Sequence, residues 1–159
     1  MYCYAYKGSI VLYSRPNKLL ILGALFSAVA ALAHLGCIIF GGDWYRFFGA
    51  GEQMAKMAEA GEPHPTIVTS ILVFILSSWS VYGLSGAKLI TKLPLLRTAL
   101  VLISSIYVLR GVAFVALMPM FPENSITFWV VSSVICLSIG MLYSIGTYQS
   151  WSTLSVKHA

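Results

Sequence analysis

The chain has 159 residues, of which 58% are hydrophobic and only 9% charged, and its mean hydropathy is +0.84. Soluble domains are about a quarter charged, so this composition excludes a water-soluble globule and predicts one small membrane domain. The net charge of +5 would raise nucleic acid as a partner for a soluble protein. Here the basic residues stand between apolar runs and form no basic stripe or aromatic-basic module, so no nucleic-acid partner is expected.

In chain order, four apolar runs stand out, at about 19–40, 66–87, 96–118 and 126–148, and none contains Lys, Asp or Glu. A helix needs roughly 20 residues, rising about 1.5 Å each, to cross the hydrocarbon core, and helices satisfy their own backbone there. The expected fold is therefore an all-α membrane protein with four transmembrane helices in an antiparallel bundle. Pro16 precedes the first run, the Pro63-His64-Pro65 triplet the second and Pro94 the third, while Pro119 and Pro122 separate the third from the fourth. The first run resembles a cleaved signal at Ala31–Ala33, but it is longer than a signal core, and His34 stands where a lipoprotein box wants a large aliphatic residue. A retained helix is expected.

The first connection is the longest and carries four of the five acids, Asp43, Glu52, Glu59 and Glu62. Its middle, about 51–60, reads as a short amphipathic helix. Glu52 and Lys56 form an i, i+4 pair, and Met54, Met57 and Ala58 lie on one side. With the aromatic stretch Trp44-Tyr45-Arg46-Phe47-Phe48 ahead of it, this segment is expected to lie on the membrane surface and fold back over the bundle mouth.

Orientation follows the basic residues. Lys7, Arg15, Lys18, Lys88, Lys92, Arg97 and Lys157 fall on one side, against Arg46 and Lys56 on the other, which predicts both termini in the cytoplasm. Trp44, Tyr45 and Trp129 then lie near the outer interface, and Tyr13 and Trp151 near the inner one. Arg97, Lys88 and Lys92 read as interface anchors for anionic lipids.

One charge interrupts this pattern. Arg110 lies 13 residues beyond Arg97 in the third run, roughly 20 Å along a helix, and so in the outer half. A lone charge there costs a few kcal/mol unless it snorkels or is paired. His34 reaches a similar depth on the first helix. The expectation is an outward-facing polar pocket of Arg110, His34, Glu52 and Asp43, with Tyr107 one turn below Arg110, and with Glu52 or Asp43 paired to the guanidinium. A structural ion pair fastening the connection to the bundle is the plainer version of the same contact.

Packing is expected through small residues. Ser133, Cys136, Gly140, Ser144 and Thr147 form a stripe on the fourth helix, usable within the chain or as a homo-oligomer seam. Cys3, Cys37 and Cys136 form no disulfide framework or metal cluster, and haem is not expected with only one histidine inside a helix. No nucleophile elbow, phosphate loop, dinucleotide fingerprint or zinc helix appears, so no catalytic residue, metal or cofactor is assigned.

The block 41–61, with 81–97 and the Tyr107–Phe114 stretch, resembles an uncharacterised family of small four-helix bacterial integral membrane proteins. Its architecture is similar to that of DoxX-like proteins in helix count alone. The resemblance implies a four-span protein of a bacterial inner membrane and transfers no activity. The expected function is non-enzymatic: binding membrane lipid or a small amphiphile in the outward pocket, or serving as a membrane partner subunit. The alternatives are a small membrane enzyme using His34 with Glu52 or Asp43 as acid and base, and a dimeric small transporter.

Overall fold

The computed structural model describes the backbone of residues 3–6 and 9–12, and residues 15–120, 122 and 124–154 in full. Lys7, Tyr13, Glu123, Lys157 and His158 lie outside the described residues, as does the side chain of Cys3. Strands β1 (Cys3–Tyr6) and β2 (Ser9–Leu12) pair as an antiparallel hairpin. Among the described residues, everything after them is helical or connecting.

Helix α1 spans Lys18–Phe40 and opens on Asn17, whose side-chain oxygen accepts from the amides of Leu19 and Leu20 at 3.0 and 3.2 Å. The Asn17 amide donates to the Gly146 carbonyl and the Ser150 hydroxyl, both at 3.0 Å, so one residue caps α1 and ties it to the far end of the last long helix. After α1 come two short helices, α2 (Gly42–Phe47) and α3 (Glu52–Glu59). The connection thus holds two helices where one was expected.

Helix α4 spans Pro63–Gly86, starting three residues before the expected boundary. Prolines look like breakers, but the first-turn amides of a helix have no internal acceptor, so Pro63 and Pro65 remove nothing the helix needs. Helix α4 ends in a Schellman turn: the Leu89 amide donates to the Leu84 carbonyl at 3.0 Å and the Lys88 amide to Ser85 at 3.1 Å. Glycine usually holds the left-handed position of that turn. Lys88 holds it here, with φ +65°, at a cost of about 1 kcal/mol.

The third apolar run departs from expectation. Helix α5 (Leu96–Val112) stops, the chain bends by 58°, and a short helix α6 (Phe114–Leu117) and a 3₁₀ turn (Met118–Met120) complete the run. Gly111 weakens the helix by about 1 kcal/mol relative to alanine, and Pro119 removes the donor that would carry the ladder onward. Helix α7 spans Ile126–Gln149, with Ser125 accepting from the Phe128 amide at 3.1 Å, and α8 (Trp151–Leu154) follows. Three helices, α1, α4 and α7, are long and apolar enough to cross a membrane, and the bent pair makes up to four. Helix α1 packs chiefly on α4 and α5 chiefly on α7, with α1 also touching α7 and α4 touching α5.

The burial pattern is that of a protein meant for hydrocarbon. Leu25, Val29, Leu32 and Ile39 of α1 face outward, and so do Phe74 of α4 and Ile135 and Met141 of α7. Ser27, Thr69, Ser85, Ser104, Ser133 and Thr147 are buried inside. Small and hydroxyl-bearing residues inside with large aliphatics outside is how helices associate when the solvent is as apolar as leucine.

At the centre lies a hydrogen-bonded knot from four helices. The Tyr143 hydroxyl of α7 donates to the Trp79 carbonyl of α4 at 3.0 Å. Its proton is thereby committed, so the Ser27 hydroxyl of α1 must donate to Tyr143 at 3.2 Å, and Tyr107 of α5 in turn donates to Ser27 at 2.9 Å. The rings pack as well: Tyr107 stacks on Tyr143 at 6.0 Å and meets the Trp79 ring edge-on at 5.0 Å. Tyr143 is fully buried in a socket made by two glycines. A Cβ at Gly23 would lie 3.1 Å from its ring, and one at Gly83 would lie 2.9 Å from its hydroxyl. We therefore expect Gly83→Val to lower unfolding free energy by ~1–3 kcal/mol through overpacking, and Tyr143→Phe by about 0.5–2 kcal/mol through lost hydrogen bonds alone. Unfolding in mixed micelles titrated with sodium dodecyl sulfate reads both. A Gly83→Val protein as stable as the parent would mean that the socket is not filled as described.

Candidate functional site

The helices of the first connection form a hood held by aromatic and small residues. Tyr45 is buried and shares a 3.1 Å hydrogen bond with Thr69 of α4. Cys37, Tyr45 and Ala55 make a second small core, with Trp44, Ala50, Met54 and Ala58 against it. Trp44 stacks on Phe40 with ring centroids 4.5 Å apart and rests over Gly36, where any larger residue would meet its ring. On the far side, Gly49 (φ +69°) sits against the Phe128 ring, and the Asn124 amide donates to the Gly49 carbonyl at 3.0 Å. The hood thus reaches from the end of α1 to the start of α7.

Its charges organise around Arg46. The guanidinium takes Glu52 in a two-pronged grip, Nε to Oε2 at 2.7 Å and Nη2 to Oε1 at 2.9 Å. It also donates to both oxygens of Glu59, at 2.5 and 3.2 Å, and to Asp43 at 3.3 Å. Lys56 adds a looser contact to Glu52 at 3.8 Å. One arginine therefore clips three carboxylates from α2 and α3, in the geometry that makes arginine–carboxylate contacts strong. The hydrogen bonds from Arg46 hold the carboxyls of Glu52 and Glu59 below their ordinary value. Glu52 and then Glu59 push the Arg46 guanidinium further up.

This arrangement corrects the expected pairing. Glu52 and Asp43 meet Arg46, not Arg110. Six and thirteen residues separate Arg46 from Glu52 and Glu59, so closing those contacts orders little chain, and the pairs stay partly in water. The reverse choice would strip a carboxylate of water to reach a half-buried cation inside the helices. His34 does not join the acids either: its Nδ1 donates to the Ala30 carbonyl one turn back at 2.7 Å. Tyr107 points into the central knot.

Arg110 occupies the last turn of α5, immediately before the bend. Its guanidinium lies 5.5 Å from the ring centroid of Trp129, at the start of α7. Trp129 packs edge-on with Phe128, the residue that carries Gly49 of the hood. Arg110 and the hood therefore share one end of the molecule and, among the described residues, are linked through aromatic rings. Nη1 of Arg110 is buried without a hydrogen-bond partner among the described residues.

At the opposite end, Arg97 stacks 3.4 Å over the Trp151 ring, a cation–π contact that fits an interfacial anchor. Of the small-residue stripe on α7, Ser133, Gly140 and Thr147 are buried within the chain. A Cβ at Gly140 would lie 2.8 Å from the Val108 side chain, so this face is taken up largely by α5. Cys136 is half-buried, and Ser144 is exposed beside a shallow groove shared with Ser104, Thr147 and Trp151. No group of three metal-ligating side chains forms among the described residues.

From the sequence, Arg46 counts only toward topology, yet it is the hub of the hood. The signal was present: a single arginine three residues after Asp43, in a connection otherwise rich in acids. No family model, no curated protein and no solved structure matches the chain. The functional reading rests on the geometry of the chain itself.

The clip has a defined pH dependence. Carboxyls held below their ordinary value stabilise the docked hood at any pH above the usual glutamate range, about 4.3. That contribution is lost as pH falls through the lowered values. Hydrogen exchange of the α3 amides should stay slow and flat from pH 7 to 5, after correction for intrinsic rates, and rise below about pH 4. Arg46→Gln should expose the same amides at every pH and remove the acid transition. An α3 equally protected in that variant would show that the clip does not hold the hood.

Proposed function

We propose that this is a multi-pass protein of a bacterial inner membrane, an antiparallel bundle of four spans with its hood outside and both termini in the cytoplasm. It works by binding rather than by catalysis, and it holds an anionic amphiphile at Arg110. The orientation is supported by Arg15, Lys18, Lys88, Lys92 and Arg97 at one end against Arg46 and Lys56 at the other.

The observation that carries the ligand is the buried Nη1 of Arg110, without a partner among the described residues. A desolvated guanidinium donor that meets no acceptor is costly, and an anion bound there removes the cost. The surroundings suit an amphiphile: the Trp129 ring lies beside the cation, while Leu109, Val112 and Val115 are exposed next to it. A headgroup can meet the guanidinium while its tail lies along these side chains. The enzymatic alternative finds no support in this arrangement, because the acids it needs are clipped to Arg46 and His34 is turned to its own helix.

Purified, lipid-stripped protein should gain thermal stability on addition of oleate and not of the uncharged monoolein. Arg110→Met should start a few degrees higher, the shift that about 1–2 kcal/mol produces in a domain of this size, and should not respond to oleate. An equal response in parent and Arg110→Met would remove the ligand from this site. If Arg110→Met and Glu123→Gln instead lost stability alike, the anion would be a carboxylate of the chain, and the reading would fall.

A further inference from the structure

A second place in the molecule gathers basic residues. Where α1 begins and α4 and α7 end, a cavity of about 410 Å³ is lined by Arg15, Lys18 and Lys88, together with Asn17, Gln149 and Ser150, and no acid lines it among the described residues. Its wall is fixed. Asn17 spends its oxygen on the first turn of α1 and its amide on Gly146, Gln149 and Ser150 of the α7 end, so the polar rim is locked by hydrogen bonds.

The third cation is placed by an uncommon backbone. Lys88 adopts φ +65° at the Schellman position of α4, where glycine would be unstrained. A lysine in a strained conformation is a reason to ask what its side chain does. Here Lys88 lines the cavity with Arg15 and Lys18, three basic residues drawn from two segments more than sixty residues apart. The positive-inside tendency alone asks only for basic residues near the span ends. It does not ask for a walled cavity or for strain.

We propose that this cavity binds a phosphate group, and that its source is the headgroup of an anionic phospholipid in the leaflet at that end. The chemistry is that of a phosphodiester met by one guanidinium and two ammonium groups, with amide and hydroxyl donors at the rim. The cavity opens where the spans end, at headgroup level, so the acyl chains need not enter it. This proposal does not depend on Arg110, which lies at the other end of α5.

The test uses the full chain in lipid-stripped micelles, with short-chain phosphatidylglycerol, phosphatidylcholine and inorganic phosphate as separate titrants read by thermal shift. Phosphatidylglycerol should stabilise at lower concentration than either of the others. Measured in the Arg110→Met background, which removes the site proposed above, Arg15→Gln, Lys18→Gln and Lys88→Gln should each weaken its apparent affinity by roughly fivefold. Lys88→Gly separates a ligand role from a structural one: it relieves the backbone strain and should raise the unliganded midpoint, yet lose affinity as Lys88→Gln does. Inorganic phosphate binding as tightly as phosphatidylglycerol would keep the phosphate site and assign it to a soluble source. Equal shifts from phosphatidylglycerol and phosphatidylcholine, or full affinity in Lys88→Gly and Arg15→Gln, would overturn the proposal.

Discussion

The constraint on which the rest depends is the hydroxyl of Tyr143. It can donate once, and its proton goes to the Trp79 carbonyl. The Ser27 and Tyr107 hydroxyls must then donate toward it in sequence. In water such a chain would compete with solvent and fix little. Inside an apolar bundle each break leaves a polar group with no substitute, which is why modest hydrogen bonds specify one arrangement. Because the four members come from α1, α4, α5 and α7, the knot sets the depth of every long helix relative to the others. It thereby brings the end of α5 to the level of the α7 start, and the α1 start to the level of the α7 end.

Those two levels carry different electrostatics. At the hood, acids are in excess and one arginine is shared by three of them. The contact is partly solvated, so as an energy term it is modest. Its value is in geometry, since a two-pronged grip on Glu52 together with two contacts to Glu59 orients α3 against α2. Once Arg46 has taken these carboxylates, none of them remains for Arg110. The hood end thus holds a satisfied cation in water and a less satisfied one among rings.

The helices were legible in the sequence because their signal is cheap to read: twenty apolar residues in a row admit few alternatives. The hood helix α3 was legible from its period. Four features were not. The early start of α4 was hidden because prolines were read as breakers, when in a first turn they are neutral. The bend after Val112 was hidden because the run 96–118 stays apolar through it; only Gly111 and Pro119 mark the weakness. The partner of each charge was hidden most deeply. Depth along a helix says which end a residue reaches, not which way its side chain turns, so Tyr107 was placed with Arg110 although it faces Ser27. The central knot escaped for the same reason. Ser27 and Gly23 were visible as small residues for packing, but nothing local distinguishes Tyr143, two residues before the Ile145-Gly146 pair, from an interfacial tyrosine.

The bend and Arg110 are best understood as one feature. A helix of 17 residues is about 26 Å long, slightly less than the thickness of a hydrocarbon core. In the four-span arrangement we propose, the helix that begins at Leu96 ends within two residues of Arg110, and the guanidinium comes to the boundary rather than to the interior that a straight 23-residue helix would imply. There it gains the negative end of the α5 dipole and the face of Trp129, each worth about 0.3–1 kcal/mol in exposed settings. Those terms reduce the cost of the cation without supplying the hydrogen-bond acceptor that Nη1 lacks among the described residues. An acceptor arriving from the membrane side meets a cation already oriented and half-desolvated, so little ordering is left to oppose binding. A protein carboxylate delivered by the hood would have to leave the water that it now shares with Arg46. On this balance a headgroup is the better occupant of the Arg110 ledge than any acid of the hood.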